Sequence, residues 1–352
     1  MQGGNGVVRK FPYDTAPIAL ITIFVVITSI VRWHLGVSQL SFGSVLANAN
    51  LMLISLIFAG GFYILWVLAA HRPDMPIAFL RSMAREHDLP ERLLRAAPLL
   101  LATAVFMPAF SGIKASIPYM NAFTWDPAFT RWDSMIHGGD AWKLLYPILQ
   151  SPFATFLISM AYQSWLLLVC LGVPLIILWH EGGRLRAQFL LSYFLSWLIL
   201  GTVSALAFAS VGPCFVDYFY GSAHFQPLMD RLVEIDRHYP LLALDVQNEL
   251  IAWQQQNSTG LGRGISAMPS MHVSIATLFA ILGWQVSKSA GLALTAFLLV
   301  IQTGSVLLGY HYAIDGYVSA VGTLIIWWFC GKMVAVSDEL RRPKSLGEVK
   351  PA

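Results

Sequence analysis

Ser266-Ala-Met-Pro-Ser-Met-His272 and Tyr310-His311-Tyr-Ala-Ile-Asp315 lie near the C-terminal end, with 39 positions from His272 to His311, most of them apolar. A helix rises 1.5 Å per residue, so about 20 residues cross a bilayer. The interval therefore fits a chain that crosses and returns, bringing both histidines to one membrane face. Apolar windows of similar length recur at about 17–35, 46–70, 96–116, 153–179 and 187–210. Toward the C-terminus there follow 268–286, 290–309 and 313–333. The pattern predicts an all-α polytopic membrane bundle of about eight transmembrane helices, with both termini on one side.

Composition agrees. The chain has 352 residues, 57% hydrophobic and 12% charged, with a mean hydropathy of +0.63. Soluble domains carry about 25% charge, so this chain belongs in a membrane. A net charge of +3 with no basic run gives no reason to expect a nucleic-acid partner. Three cysteines cannot close a disulfide framework. Cys170 and Cys330 sit in apolar runs and read as small buried hydrophobes, and Cys214 as a packing residue at a span end. Arg9 and Lys10 before the apolar run Ile18–Val31 resemble a signal peptide. The small-residue stretch Ala47-Asn-Ala49 comes too late for cleavage, after Arg32 and His34, so the run reads as a retained first span.

Charge sets the orientation. With the N-terminus cytoplasmic, 15 of the 22 Lys and Arg fall in inside segments, from Arg9 and Lys10 to Lys344 and Lys350. Acidic residues run the other way, with Asp217, Asp230, Glu234, Asp236, Asp245 and Glu249 between the fifth and sixth spans. The positive-inside rule then puts both histidine motifs on the outer face. Three connections are long enough to carry structure. Residues 72–95 are basic and studded with apolar residues, as in a helix lying on an anionic inner leaflet. Residues 117–150 carry Tyr119, Trp125, Trp132, Trp142 and Tyr146, an interfacial aromatic belt. Residues 227–256 read as one or two amphipathic helices divided at Pro240, with Leu242, Val246, Leu250 and Trp253 on one face.

The two motifs suggest phosphoryl chemistry. Pro269 suits the first turn of a helix, and Ser270 can cap it or offer its hydroxyl and neighbouring N–H groups to an anion. His272 is expected one turn in, facing the same anion. His311 and Asp315 are four apart, on one face of a helix. A carboxylate on one ring nitrogen fixes the tautomer and makes the other nitrogen the better nucleophile. His311 could then attack phosphorus, Asp315 stabilise the imidazolium, and His272 protonate the departing oxygen, with the helix start neutralising the equatorial oxygens.

The sequence resembles the type 2 phosphatidic acid phosphatase superfamily, and within it the inositol phosphorylceramide synthase-like branch. Pro269-Ser270-Met271-His272 is similar to that family's second signature, and His311-Tyr-Ala-Ile-Asp315 to the end of its third. The resemblance covers about 100–335. It implies a six-helix core with its site near the outer interface, His311 as the phosphohistidine-forming nucleophile, Asp315 as its partner and His272 as acid/base. Two departures stand out. The phosphatase branch has an arginine six residues before the third-motif histidine, where this chain has Ser305. Its lysine-to-Arg-Pro first signature has no match either, since Lys114 is followed by Asn121-Ala122. Both departures are typical of the synthase-like branch; Ser210-Val-Gly-Pro-Cys214 resembles a Gly-Pro segment of that branch, and the stretch from Asp126 to Trp142 is similar to its outer amphipathic stretch.

Replacement cations are Lys114, at the outer end of the third span, and Arg263, just before the serine motif. Tyr310, Tyr312 and Tyr317 flank the site. Gly212-Pro213 reads as a helix end, His224 as a loop histidine, and Asp126 and Asp140 as caps rather than ligands. The expected layout is a two-span region with its cytoplasmic segment at 1–95, a catalytic core at 96–335 with outer loops 117–150 and 211–267, and a tail at 336–352. The function read from the site is a lipid phosphatase or headgroup phosphotransferase needing no cofactor or metal. Its partner is a membrane lipid substrate, and its location a bacterial inner membrane with the termini cytoplasmic and the site periplasmic. Two other readings fit the residues less well: a metal hydrolase with His272, His311 and Asp315 as ligands, and a transporter or flippase without chemistry.

Overall fold

The structure is a computed structural model and describes residues 14–256 and 264–341. Among the described residues every regular element is helical. The principal helices are α1 (Thr15–His34), α2 (Phe42–His71), α3 (Pro76–Glu86), α4 (Leu89–Ala115), α5 (Asp126–His137) and α6 (Pro152–Leu178). They continue with α7 (Gly183–Ala207), α8 (Gln226–Asp236), α9 (Leu242–Gln255), α10 (Met271–Val286), α11 (Lys288–Leu307) and α12 (Ala313–Arg341). Seven of these, α1, α2, α4, α6, α7, α11 and α12, are long and apolar enough to cross a membrane. The protein is an integral membrane helix bundle.

The predicted span at 268–286 is shorter than expected. Helix α10 has 16 residues, about 24 Å of rise, because residues 264–270 run as irregular chain across the bundle end before the helix starts. The basic stretch 72–95 also divides: α3 covers 76–86, and α4 is already helical from Leu89. Pro240 does separate α8 from α9, but the buried positions of α9 are Ala243 and Gln247, while Leu242 is exposed. Trp142, expected in an interfacial belt, is buried.

Helices α10 and α11 form an antiparallel hairpin, and α7 packs against α1, α10 and α12. One apolar cluster fills the middle of the bundle, with Phe24, Phe106, Phe110, Phe194, Trp197 and Ile275 among its members. Edge-on pairs such as Phe106–Phe194, with ring centroids 5.0 Å apart, hold these helices by shape, since lipid tails are as apolar as the side chains themselves. A second cluster seats α5, α8 and α9 on the ends of α11 and α12, through Phe129, Leu228, Leu232 and Tyr312. Helix α2 is peripheral: only Asn48, Met52 and Val67 are buried, and Phe58, Phe62 and Trp66 face outward.

Polar contacts mark the two ends. At one end Arg186 is buried against Asp14 at 2.6 Å, Arg92 pairs with Glu181 at 2.7 Å, and Arg184 pairs with Asp338. The other end carries α5, α8, α9 and both histidine motifs.

Candidate active site

Helix α10 begins at Met271, with Ser270 as its cap: the Ser270 hydroxyl accepts the Val273 N–H at 3.5 Å. Pro269 therefore lies outside the helix rather than in its first turn, and His272 is the second helical residue, not one turn in. Next, α11 ends at Leu307 and the chain turns through Gly309, whose φ of 74° suits glycine. The His311 N–H donates to the Ser305 carbonyl at 3.1 Å, and α12 starts two residues later. The Ser270 N–H donates to the Asp315 carbonyl at 3.4 Å, so the two motifs are joined through their backbones.

His311 Nδ1 lies 3.3 Å from Asp315 Oδ2, and the same oxygen accepts the Tyr312 N–H at 3.1 Å. Asp315 is fully buried and its Oδ1 has no hydrogen-bond partner. The carboxylate occupies Nδ1, which leaves Nε2 as the ring nitrogen available for chemistry. The rings of His272 and His311 stand 6.1 Å apart at 62°. His272 packs against two aromatics of α6: Tyr162 stacks on it at 4.6 Å and 19°, and Trp165 lies at 4.2 Å, tilted by 40°.

Both histidines open onto a cavity of about 240 Å³ that Lys114, at the end of α4, also lines. This brings His272, His311, Asp315, Ser270 and Lys114 to one end of the bundle. Tyr310 lines the cavity with its ring, but its hydroxyl donates to the Ala243 carbonyl at 2.8 Å, so that oxygen is engaged with α9. Arg263 lies outside the described residues. No group of three His, Cys, Asp or Glu among the described residues is placed to hold a metal ion.

Residues that the sequence marks only as caps, a helix end or flanking groups hold this arrangement. Asp126, buried at the start of α5, accepts the N–H groups of Val211 and Gly212 at 2.9 Å each, the Tyr220 hydroxyl at 2.8 Å and the Tyr312 hydroxyl at 3.0 Å. Gly212, at a φ of 89°, sits where a Cβ would collide with the Tyr310 carbonyl, so glycine is needed for the close approach of these two turns. Asp133, seven residues after Asp126 on the same helix, accepts the Ile314 N–H at 3.1 Å and so satisfies a donor at the start of α12.

Burial, with the Asp126 charge beside it, pushes the Tyr312 phenol well above its usual range. Burial also raises the Asp133 carboxyl, against the opposing pull of the Ile314 N–H and His137. Asp140 goes the other way: burial works against ionisation, yet His224 at 2.8 Å and Lys143 at 3.0 Å hold the carboxyl below its ordinary value. The expectation that Asp126 and Asp140 act as caps does not hold: neither carboxylate accepts an N–H at the start of its own helix, Asp126 being spent on the Val211-Gly212 turn and Asp140 on Lys143 and His224. The serial spacing of Asp126 and Asp133 was the signal that would have found the clamp, since seven residues are two helical turns.

A family model described as PAP2 superfamily matches residues 127–329, more than half of the chain. No curated protein and no solved structure matches. The matched segment runs from α5 into α12 and contains His272, His311 and Asp315, while Lys114 precedes it. This is a phosphatase-type membrane enzyme, and the chain belongs to the PAP2 superfamily.

Proposed function

We propose that the protein transfers a phosphoryl or phosphodiester group from a lipid through a phosphohistidine intermediate on His311. The observation that carries this reading is the His311 Nδ1–Asp315 Oδ2 contact of 3.3 Å, with the His272 ring 6.1 Å from that of His311 beside a cavity holding Lys114. His311 Nε2 attacks phosphorus and forms an N–P bond while the P–O bond to the leaving group breaks. His272 gives its proton to the departing oxygen. The neutral His272 then takes a proton from water or a hydroxyl acceptor, whose oxygen attacks phosphorus and releases His311. Asp315 holds the tautomer and balances the imidazolium. Lys114 and the start of α10 at Ser270 neutralise charge on the phosphoryl oxygens.

A lipid substrate is supported by the site's position at the end of a membrane bundle. The positive-inside bias supports cytoplasmic termini and a site facing a periplasm, as in a bacterial inner membrane. Ser305, fully buried, stands where the phosphatase branch has arginine, which supports transfer to a hydroxyl in the manner of the synthase-like branch. The test is purified protein with a panel of lipid phosphates and phosphodiesters, with and without hydroxyl acceptors. Free phosphate or a new lipid should appear, with chelator having no effect and vanadate inhibiting. Wild-type turnover by His311→Ala would overturn the mechanism.

A further inference from the structure

The cavity at His272 and His311 continues past them, between α2, α4, α6 and α7. Met107 on α4 lies seven residues before Lys114, and Cys170 on α6 lies five beyond Trp165. At 1.5 Å per residue these positions are about 10 Å deeper in the bundle than Lys114 and about 7 Å deeper than Trp165, the residue that packs on His272. The lining there is mostly apolar, with Met107, Phe110, Val169 and Cys170; Ser111 is the polar residue that α4 adds, and among the described residues no charged side chain lines the cavity beyond Lys114. Val169 and Cys170 belong to a π-helical turn of α6, and Gly201, on the facing wall, to one of α7. Such widened turns are often found at functional sites. Asn48, the polar residue α2 contributes, directs its amide to the Thr103 and Ala104 carbonyls at 3.5 and 3.0 Å. It ties α2 to α4 in place of offering that amide to a ligand.

A largely apolar branch that starts at the catalytic imidazoles and runs into the membrane-spanning layer suits a hydrocarbon chain better than a charged group or a sugar with many hydroxyls. We propose that this branch receives one hydrocarbon chain of the lipid whose phosphate meets His311, and that α4, which precedes the family-matched segment, together with the widened turns of α6 and α7 sets the chain length accepted. The proposal rests on the lipid-phosphate reading above. Specificity in this chain is then built in part by α4, outside residues 127–329.

The experiment compares long-chain and short-chain lipid phosphates of one headgroup in wild type, Cys170→Phe and Met107→Ala. Each variant is read as the ratio of the two kcat/KM values within one preparation, which cancels the active fraction. Filling the branch in Cys170→Phe should lower the long-to-short ratio about tenfold, as expected for roughly two methylenes left unburied. Opening it in Met107→Ala should move the preference toward longer chains. If Cys170→Phe fails to fold, Met107→Ala alone decides. Unchanged ratios in variants whose turnover still requires His311 overturn the chain site and leave the phosphohistidine reading standing. Turnover that survives His311→Ala overturns that reading instead.

Discussion

Tyr312 donates its phenol to Asp126 Oδ1 at 3.0 Å, bridging α5 and the residue that follows His311. The same carboxylate binds the turn at Val211-Gly212, so one buried group positions two of the loops around the site. Asp126→Ala leaves two buried N–H groups and two hydroxyls without their acceptor. It should cost about 3 kcal/mol, seen as a lower Tm in detergent, while Tyr312→Phe should cost only about 1 kcal/mol.

Asp133 gives a pH signature. Burial raises its folded-state pKa above the unfolded value, so its contribution favours folding fully at low pH and is lost as pH rises through the folded pKa. Asp133→Asn imitates the protonated acid and keeps an acceptor for the Ile314 N–H. The variant should gain Tm relative to wild type as pH is raised from acid to neutral. A pH-independent difference would contradict the assignment.

The aromatic packing around His272 predicts a graded loss. Under the proposed mechanism His272 carries a proton in the first step, and the rings of Tyr162 and Trp165 pack on it, a contact worth about 0.5–2 kcal/mol. Trp165→Leu should lower kcat/KM about 2- to 30-fold, and Trp165→Phe should restore most of it. Equal activity of the Leu and Phe variants would show that the ring face contributes nothing.

Removing His272 itself is a harsher test. His272→Ala should lower kcat by about 10²–10⁴, the usual contribution of a positioned acid/base. A leaving group with a low pKa, such as nitrophenol, should be affected less in the first step than an alkyl alcohol, because it needs no proton to depart. Equal losses with both leaving groups in single-turnover assays would count against its role as the acid.

At the opposite end of the bundle, Asp14 pairs with the buried Arg186 guanidinium at 2.6 and 3.3 Å. Asp14→Ala leaves that cation without its carboxylate and should cost about 3–5 kcal/mol of stability. Activity per folded molecule should be unchanged, since the pair lies far along α1 and α7 from the histidines.

The membrane helices were legible because apolar length is a one-dimensional signal: the windows at 153–179 and 290–309 differ by one or two residues from the observed α6 and α11. His272, His311 and Asp315 were legible as well, since helix spacing alone brings them to one end. Asp126 and Asp133 were harder to see. Their function lies in hydrogen bonds to backbone N–H groups of Val211, Gly212 and Ile314, and such donors leave no trace in side-chain identity. Tyr162 and Trp165 were hidden for a different reason: within an apolar run an aromatic looks like any lipid-facing residue until its neighbour is known. The π-helical turns of α6 and α7 have no local sequence mark, and α10 fell short of a full span because the residues before it are held by the site.

His272 opens α10 and His311 follows α11, so the two imidazoles belong to a single rim of the bundle. With the lipid substrate proposed above, a catalyst built at one rim meets lipids of the adjoining monolayer alone. In sealed vesicles carrying the protein in one direction, product should accumulate on that side and then stall. The opposite monolayer would stay untouched until its lipids crossed over, making transbilayer exchange, rather than chemistry, the slow step of complete conversion.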